Sequence, residues 1–243
     1  MAIYDLFAPH YDAVTGDSAT EAAFIDRVLR RAHPQPVTLL EVACGTGGII
    51  ESLADGYHVA GLDISPGMLA VARAKLPPGT PLHLADMSRF SLGARFDAII
   101  CVYHGINHLL GFPAWESFFD CAAEHLNDDG ILIFDVLTIG NLQKMASAPE
   151  IVQRFGENSL RTTVRTSDGA VFGWNVEVLE LQRDGRYKSL TEVIKTTSFP
   201  PARIRAALSE RFAGIAMIES DGSLAGDEEN RIWFVCSGPR SAA

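Results

Sequence analysis

The stretch LLEVACGTGG, Leu39 to Gly48, constrains this chain more than any other: an apolar run carries one carboxylate, Glu41, and then breaks into glycines. A short continuous apolar run is expected of a strand covered on both faces, as in a parallel sheet. Gly45, Gly47 and Gly48 then form a turn at its tip, where the backbone can approach a ligand that a β-carbon would strike. Such a turn can hold phosphates, a dinucleotide or a group with no phosphate at all. The residues around it decide among these.

Strand and helix patterns alternate around the turn. VTLLEVA reads as the first strand, and Ile49, Ile50 and Leu53 continue from the glycines as a helix. YHVAGLD is a second strand, followed by ISPGMLAVARAKL, a helix with Ser65 as N-cap and Pro66 at its first position. PLHLAD is a third strand and RFDAIICVY a fourth. Trp115 to Leu126 is a helix, Asp129-Gly130 a turn, and ILIFDVL a fifth strand. Ahead of them Phe24, Ile25, Val28 and Leu29 carry a helical period that HPQP ends. The rhythm predicts an α/β fold with a doubly wound parallel sheet and right-handed crossovers.

Near residue 140 the rhythm changes. LRTTVRT, AVFGWNVEVLELQ and YKSLTEVIKTTSF are rich in Val, Thr and aromatics at period two, and RDGR between the last two signals a hairpin. Residues 141–199 are therefore expected to form a mainly antiparallel β insertion. A helix from about Pro201 to Arg211 and the strand-like GIAMIES and RIWFVCS return to the main sheet, so the core comprises 1–140 and 200–243. At the start, Tyr4, Phe7 and Tyr11 share one helical face, and Pro9 breaks or begins that helix. They either pack on the core or make residues 1–20 an aromatic lid over a site.

The 243 residues, 47% hydrophobic, suit roughly one domain that needs no staple. Cys44, Cys101, Cys121 and Cys236 are widely spaced, with no C-x-x-C pair, a pattern of reduced thiols. No metal site is expected. No N-terminal stretch resembles a signal peptide, and no apolar run approaches the ~20 residues of a membrane span. A formal charge of −10 with dispersed Lys and Arg would repel a polyanion. The expectation is a cytoplasmic protein without nucleic-acid or membrane partners.

In open α/β sheets a ligand binds beyond the carboxyl ends of the strands, at the topological switch point. Strand one delivers Glu41 and the turn, strand two ends in Asp63, strand three in Asp86-Met87, and strand four runs into Tyr103–His108. The G-x-G-x-x-G fingerprint fails at Ile50, and no P-loop motif occurs. From Val37 to Ala72 there is no Lys or Arg, whereas Glu41, Glu51, Asp55 and Asp63 are acidic. A cationic ligand with a ribose and no phosphate fits best. Asp63 would accept from the ribose hydroxyls, Asp86 from an adenine amine beside the Met87 N–H, and Glu41 from an ammonium. That set describes S-adenosyl-L-methionine.

With these residues in place, the sequence resembles the class I S-adenosylmethionine-dependent methyltransferases. LLEVACGTGG is similar to their first motif, VAGLDISPGML to the acidic second and LADMSRF to the adenine-contacting segment. FDAIICVYHGINHLL and LNDDGILIFDV are similar to the fourth and fifth, with Asp128-Asp129-Gly130 where many relatives have Pro-Gly-Gly. The resemblance implies a Rossmann-like, seven-stranded, mostly parallel sheet whose last strand is antiparallel. It implies a cofactor site made by Tyr11, Glu41, Ala43, Gly45, Gly47, Asp63, Ile64, Met68, Asp86, Met87 and Val102. YDLFAPHYD, GINHLL and the insertion narrow the resemblance to small-molecule enzymes that include the amino-sugar N-methyltransferases. There the N-terminal segment closes over the cofactor, and the insertion shapes a substrate pocket or a dimer contact. On this basis His108 matches an active-site histidine and Tyr11 a lid tyrosine; the chain would act as a monomer or homodimer on a small-molecule acceptor.

Methyl transfer from a sulfonium is an in-line displacement in which the protein aligns the acceptor. An amine acceptor needs only to be neutral, whereas a hydroxyl acceptor needs a base, for which His104 and His108 are the candidates. Asp97, Asp135 and Trp174 are assigned to structure and packing. N- and O-methylation both remain open, and the rivals are a catalytically silent cofactor-binding domain and an NAD-linked oxidoreductase.

Overall fold

A computed structural model describes residues 4–33, 35–226 and 229–240. Pro34 of HPQP and the first three residues of the expected lid segment lie outside the described residues. The chain opens with a 3-10 turn, Ala8–His10, and α1 (Tyr11–Thr15), then α2 (Ala19–Ala32). Alternation follows: β1 (Thr38–Val42), α3 (Gly48–Leu53), β2 (His58–Asp63), α4 (Pro66–Lys75), β3 (Leu82–Leu84) and β4 (Phe96–Cys101). A second 3-10 turn, Gly105–His108, leads into α5 (Phe112–His125) and β5 (Leu126–Leu137). After α6 (Ile139–Ser147) come β6 (Ile151–Phe155), β7 (Asn158–Arg165), β8 (Val171–Leu181) and β9 (Tyr187–Thr197). The chain closes with α7 (Pro201–Ser209), β10 (Phe212–Ile218) and β11 (Arg231–Pro239).

Seven strands form one sheet in the order β10-β11-β5-β4-β1-β2-β3. β3, β2, β1, β4 and β5 are mutually parallel; β11 runs antiparallel to both β5 and β10. The strand order reverses between β1 and β4, so the switch point lies beyond Val42 and Cys101. β1 alternates between two buried layers. Leu40 and Val42 pack with Phe118, Phe119, Phe134 and Ile204 under α5 and α7, while Leu39 packs with Ile25, Leu29 and Ile49 under α2 and α3. Burial on both faces is why β1 reads as a continuous apolar run.

Three expectations are corrected. β3 stops at Leu84, which leaves Asp86-Met87 in the loop beyond it. Asp129-Gly130 is not a free turn but part of an irregular start to β5. Leu126 pairs Phe96 and Ile131 pairs Ala98, so the residues between are bulged and Asn127 is tied to Asp97 Oδ1 at 2.7 Å. The insertion begins with a helix: Thr138 caps α6 by accepting from the Asn141 N–H, and the amphipathic run through Leu142 continues to Ser147. Its sheet, β6-β7-β8-β9, is antiparallel throughout. β6 was not foreseen, because Ile151–Arg154 are exposed and show no buried alternation.

The N-terminal aromatic face packs on the insertion and not on the main core. Phe7 joins Phe155, Leu160, Val176, Val178 and Ile194, with Tyr4, Tyr11 and Trp174 beside them. His10 reaches Glu180 at 3.7 Å, and Gln153 donates to the Val14 carbonyl at 2.8 Å. The start of the chain and the insertion therefore make one cover above the switch point.

Candidate active site

One cavity opens beyond β1, β2 and β4 under this cover. Tyr11, Glu41, Ala43, Gly45, Asp63 and Ile64 line it, as do Met68, Asp86, Met87, Val102 and His108. Two expected residues do not. Gly47 takes φ +76° as the cap of α3 and faces α4; a β-carbon there would lie 2.9 Å from Leu76 Cδ1. Its role is to let the turn pack on that helix, and Gly45, at φ +53° with open space beside it, is the glycine that faces the cavity. His104 turns away. Its Nδ1–H and backbone N–H both donate to Asp135, at 2.9 and 3.0 Å.

Asp135 is fully buried and also accepts from Arg231 Nε at 2.7 Å, and Arg231 pairs with Glu21. His104 and Arg231 hold the Asp135 carboxyl below the usual carboxylate range against the effect of burial. The network pins Tyr103 and His104, which sit at φ +55° and +54°, where side chains are strained. That turn delivers Tyr103 to the cavity wall and aims the following 3-10 turn at His108.

Asp63 is fixed by the backbone: Oδ2 accepts from the Gly45 N–H and Oδ1 from the Ser65 N–H, each at 2.8 Å. Burial nevertheless raises its carboxyl above the ordinary value. Glu41 is only 3% exposed and its Oε2 has no partner. Burial and the neighbouring Asp63 push the Glu41 carboxyl well up. A buried carboxylate oxygen without a donor is costly, and a ligand ammonium would satisfy it. Among the described residues, no Lys or Arg lines the cavity. The walls therefore fit an adenosyl ligand that is cationic and free of phosphate. Asp86 Oδ1 accepts from Ser88, which leaves Oδ2 beside exposed Arg89 at 3.3 Å.

His108, also in the cavity lining, is oriented by the edge of the insertion sheet. Its Nδ1–H donates to the Lys195 carbonyl at 3.2 Å, so the neutral ring presents the Nε2 lone pair. Desolvation pushes its pKa down to about 4, which keeps the ring neutral at pH 7. Asn107 is not a ligand contact. It is fully buried, donates to the carbonyls of Leu137 and Thr197 at 3.1 and 2.7 Å, and accepts from the Leu137 N–H. It ties β5, the 3-10 turn and β9 together behind His108.

Sequence reasoning missed Asp12, Thr46 and Ser18 as cavity residues, and named Tyr4 only as part of a shared aromatic face that could cover a site. Asp12 joins the cover to the floor, bonded to the Thr46 hydroxyl and to Lys75 Nζ. The spacing of Tyr4 and Tyr11 was the available signal, but it does not say which ring faces inward. His33, Asp97 and Asp129 lie close enough to share an ion at the opposite end of the sheet. His33 Nδ1 accepts from the Gln35 N–H at 3.2 Å, so in the neutral ring Nε2 carries the proton toward Asp129 at 3.4 Å. That arrangement leaves no imidazole lone pair for a metal.

Residues 39–130 match a family model described as a methyltransferase domain. Over that stretch, and in its sheet order, the chain is similar to class I S-adenosylmethionine-dependent methyltransferases. Within that class it is similar to amino-sugar enzymes. It is 40% identical over 120 residues to a dTDP-3-amino-3,6-dideoxy-α-D-glucopyranose N,N-dimethyltransferase of Streptomyces fradiae, covering 49% of this chain and 47% of the relative. It is 35% identical over 134 residues to a dTDP-3-amino-3,4,6-trideoxy-α-D-glucopyranose N,N-dimethyltransferase of Streptomyces venezuelae, covering 55% of each. The matched stretch thus spans about half the length of these relatives. Among solved structures, a sugar N-methyltransferase from Streptoalloteichus is 29% identical with TM-score 0.77, over 97% of this chain and 93% of that one. An amino pentose methyltransferase from Micromonospora echinaspora, solved with S-adenosylmethionine bound, is 27% identical with TM-score 0.75, over 96% of both chains. No helix among the described residues is long and apolar enough to cross a membrane.

Proposed function

We propose that this chain transfers a methyl group from S-adenosylmethionine to an amine nitrogen of a small-molecule acceptor of the amino-sugar type. The observation that carries this is the cavity itself: Glu41 and Asp63 in one lining with a neutral His108, and no Lys or Arg lining residue among those described. The cofactor, when bound, supplies an electrophilic methyl on a sulfonium. Glu41 holds the ammonium of its amino-acid end, Asp63 the ribose hydroxyls, and Asp86 with the Met87 N–H the adenine edge. Gly45 and Ala43 shape the floor, Ile64, Met68 and Val102 bound the rings, and Tyr11 closes from the cover.

His108 orients the acceptor. A ring with a pKa of about 4 is too weak a base to store the proton of an alkylammonium. Its Nε2 can accept an N–H of a neutral amine, which turns the nitrogen lone pair toward the methyl carbon. This favours N- over O-methylation, and it leaves His104, held on Asp135 outside the cavity, without a role in the chemistry. We assign residues 1–20 and 141–199 jointly to the cover that bounds the acceptor, because their aromatic and apolar faces pack together.

Thermal-shift titration with S-adenosylmethionine, S-adenosylhomocysteine and NAD, followed by methyl-transfer assays on amines, sugars and phenols, tests the proposal. Stabilisation by both adenosyl ligands and methylation of amines is expected. Stabilisation by NAD alone, or binding without turnover on any acceptor, would overturn it.

A further inference from the structure

Tyr4 closes the acceptor end of the cavity. Its backbone sits at φ +70°, in the left-handed region that side chains rarely adopt. Its backbone N–H donates to Glu192 Oε1 at 2.6 Å, and its hydroxyl meets His108 Nε2 at 3.3 Å with the rings edge-on at 5.5 Å. The next residue, Asp5, accepts from the Ser65 hydroxyl at 2.6 Å and the Gly67 N–H at 3.1 Å. An unfavourable backbone conformation persists only where its surroundings over-determine it. Here β9, through Glu192, and the start of α4, through Asp5, fix it from both sides.

The direction of the Tyr4–His108 bond follows from the other ring nitrogen. The Lys195 carbonyl can only accept, so Nδ1 carries the proton and Nε2 offers its single lone pair to the Tyr4 O–H. That lone pair is the one through which His108 would hold an acceptor N–H, and it cannot serve two donors at full strength.

We infer that Tyr4 is a place-holder on His108: its hydroxyl occupies, without acceptor, the position that the acceptor N–H takes, and the acceptor must displace it. The inference rests on the proposed methyl transfer and deepens it. The acceptor is selected in part by its ability to outcompete a phenol for Nε2, and Glu192 sets how firmly the phenol is presented. Tyr4 is thus a specificity-determining residue on the cover, distinct from Tyr11.

Two measurements on the full chain test this. In ring-15N NMR of histidine-labelled protein saturated with S-adenosylhomocysteine, with His108→Gln for assignment, Tyr4→Phe should move the His108 Nε2 resonance toward that of an unbonded acceptor nitrogen. An unmoved resonance overturns the contact. In steady-state assays with dTDP-3-amino-3,6-dideoxyglucose as the acceptor probe, Tyr4→Phe should lower KM about three- to tenfold, the range for losing one competing hydrogen bond. Glu192→Ala should shift KM the same way by loosening the ring. A raised or unchanged KM, or a fall in kcat at constant KM as for a proton relay, overturns the inference. If wild type methylates no amine while the NMR contact is present, the methyl-transfer reading fails and the inference falls with it.

Discussion

Glu41→Gln replaces a buried carboxyl by a neutral group of the same shape. In the ligand-free protein, burial and Asp63 hold the Glu41 carboxyl well above its usual range, and its Oε2 is unpartnered. Only the ionised form pairs with a ligand ammonium, so cofactor binding should release a proton from Glu41. Below the ligand-free pKa, affinity for S-adenosylhomocysteine should therefore rise about tenfold per pH unit, or roughly 1.4 kcal/mol. Below pH ~7 the ligand's own ammonium stays charged and contributes nothing to the slope. Stability runs the other way. A carboxyl with a raised folded-state pKa favours the folded ligand-free protein at low pH, and this contribution is lost as pH rises through the folded value. Isothermal titration in two buffers of different ionisation enthalpy, at several pH values, reads the proton count and the slope together. Glu41→Gln should abolish both and weaken binding by roughly 10- to 100-fold, the loss of one charge-assisted hydrogen bond. No proton release by wild type, or the same slope in the Gln variant, would refute the assignment.

Other outcomes follow from the same geometry. Asp63→Asn should weaken S-adenosylhomocysteine by about 100-fold or more, since one of the two acceptor oxygens becomes an NH2 donor that faces the Gly45 or Ser65 N–H and cannot accept from a ribose hydroxyl; a full thermal shift in the variant would contradict this. His108→Ala should keep cofactor binding and lose at least about 100-fold in kcat, while wild type shows no inflection from His108 between pH 6 and 8. Because its folded-state pKa is depressed, its contribution to stability is present above the unfolded value and lost as pH falls through about 4. Asn107→Ala should destabilise the fold by roughly 2–4 kcal/mol in denaturant titration, because it strands the Leu137 and Thr197 backbone groups. A loss below ~0.5 kcal/mol would show that water replaces the amide there.

The main sheet was legible because its central strands β1, β4 and β5 are buried on both faces and its connections carry their own chemistry: Ser65-Pro66 and the glycines after β1. The gathering of strand-tip residues into one cavity was legible as well, since topology alone brings Glu41, Asp63 and Val102 together. Gly47 was misassigned because a glycine needed for helix packing and one needed for a ligand look alike in sequence. His104 was misassigned because its partner Asp135 lies on the next strand, and pairing of that kind depends on register. Tyr4 went unnoticed as an individual because its position depends on Glu192, far away in the insertion. The bulged start of β5 was read as a turn since Asp-Gly fits both.

The most direct test is to incubate the purified chain with methyl-labelled S-adenosylmethionine and dTDP-3-amino-3,6-dideoxyglucose and locate the label in the product. Label on the amine nitrogen, with His108→Ala slowed and still binding S-adenosylhomocysteine, is the predicted result. Label on a hydroxyl oxygen of the sugar, or tight cofactor binding with no label transferred to this or any other amine, would contradict the account.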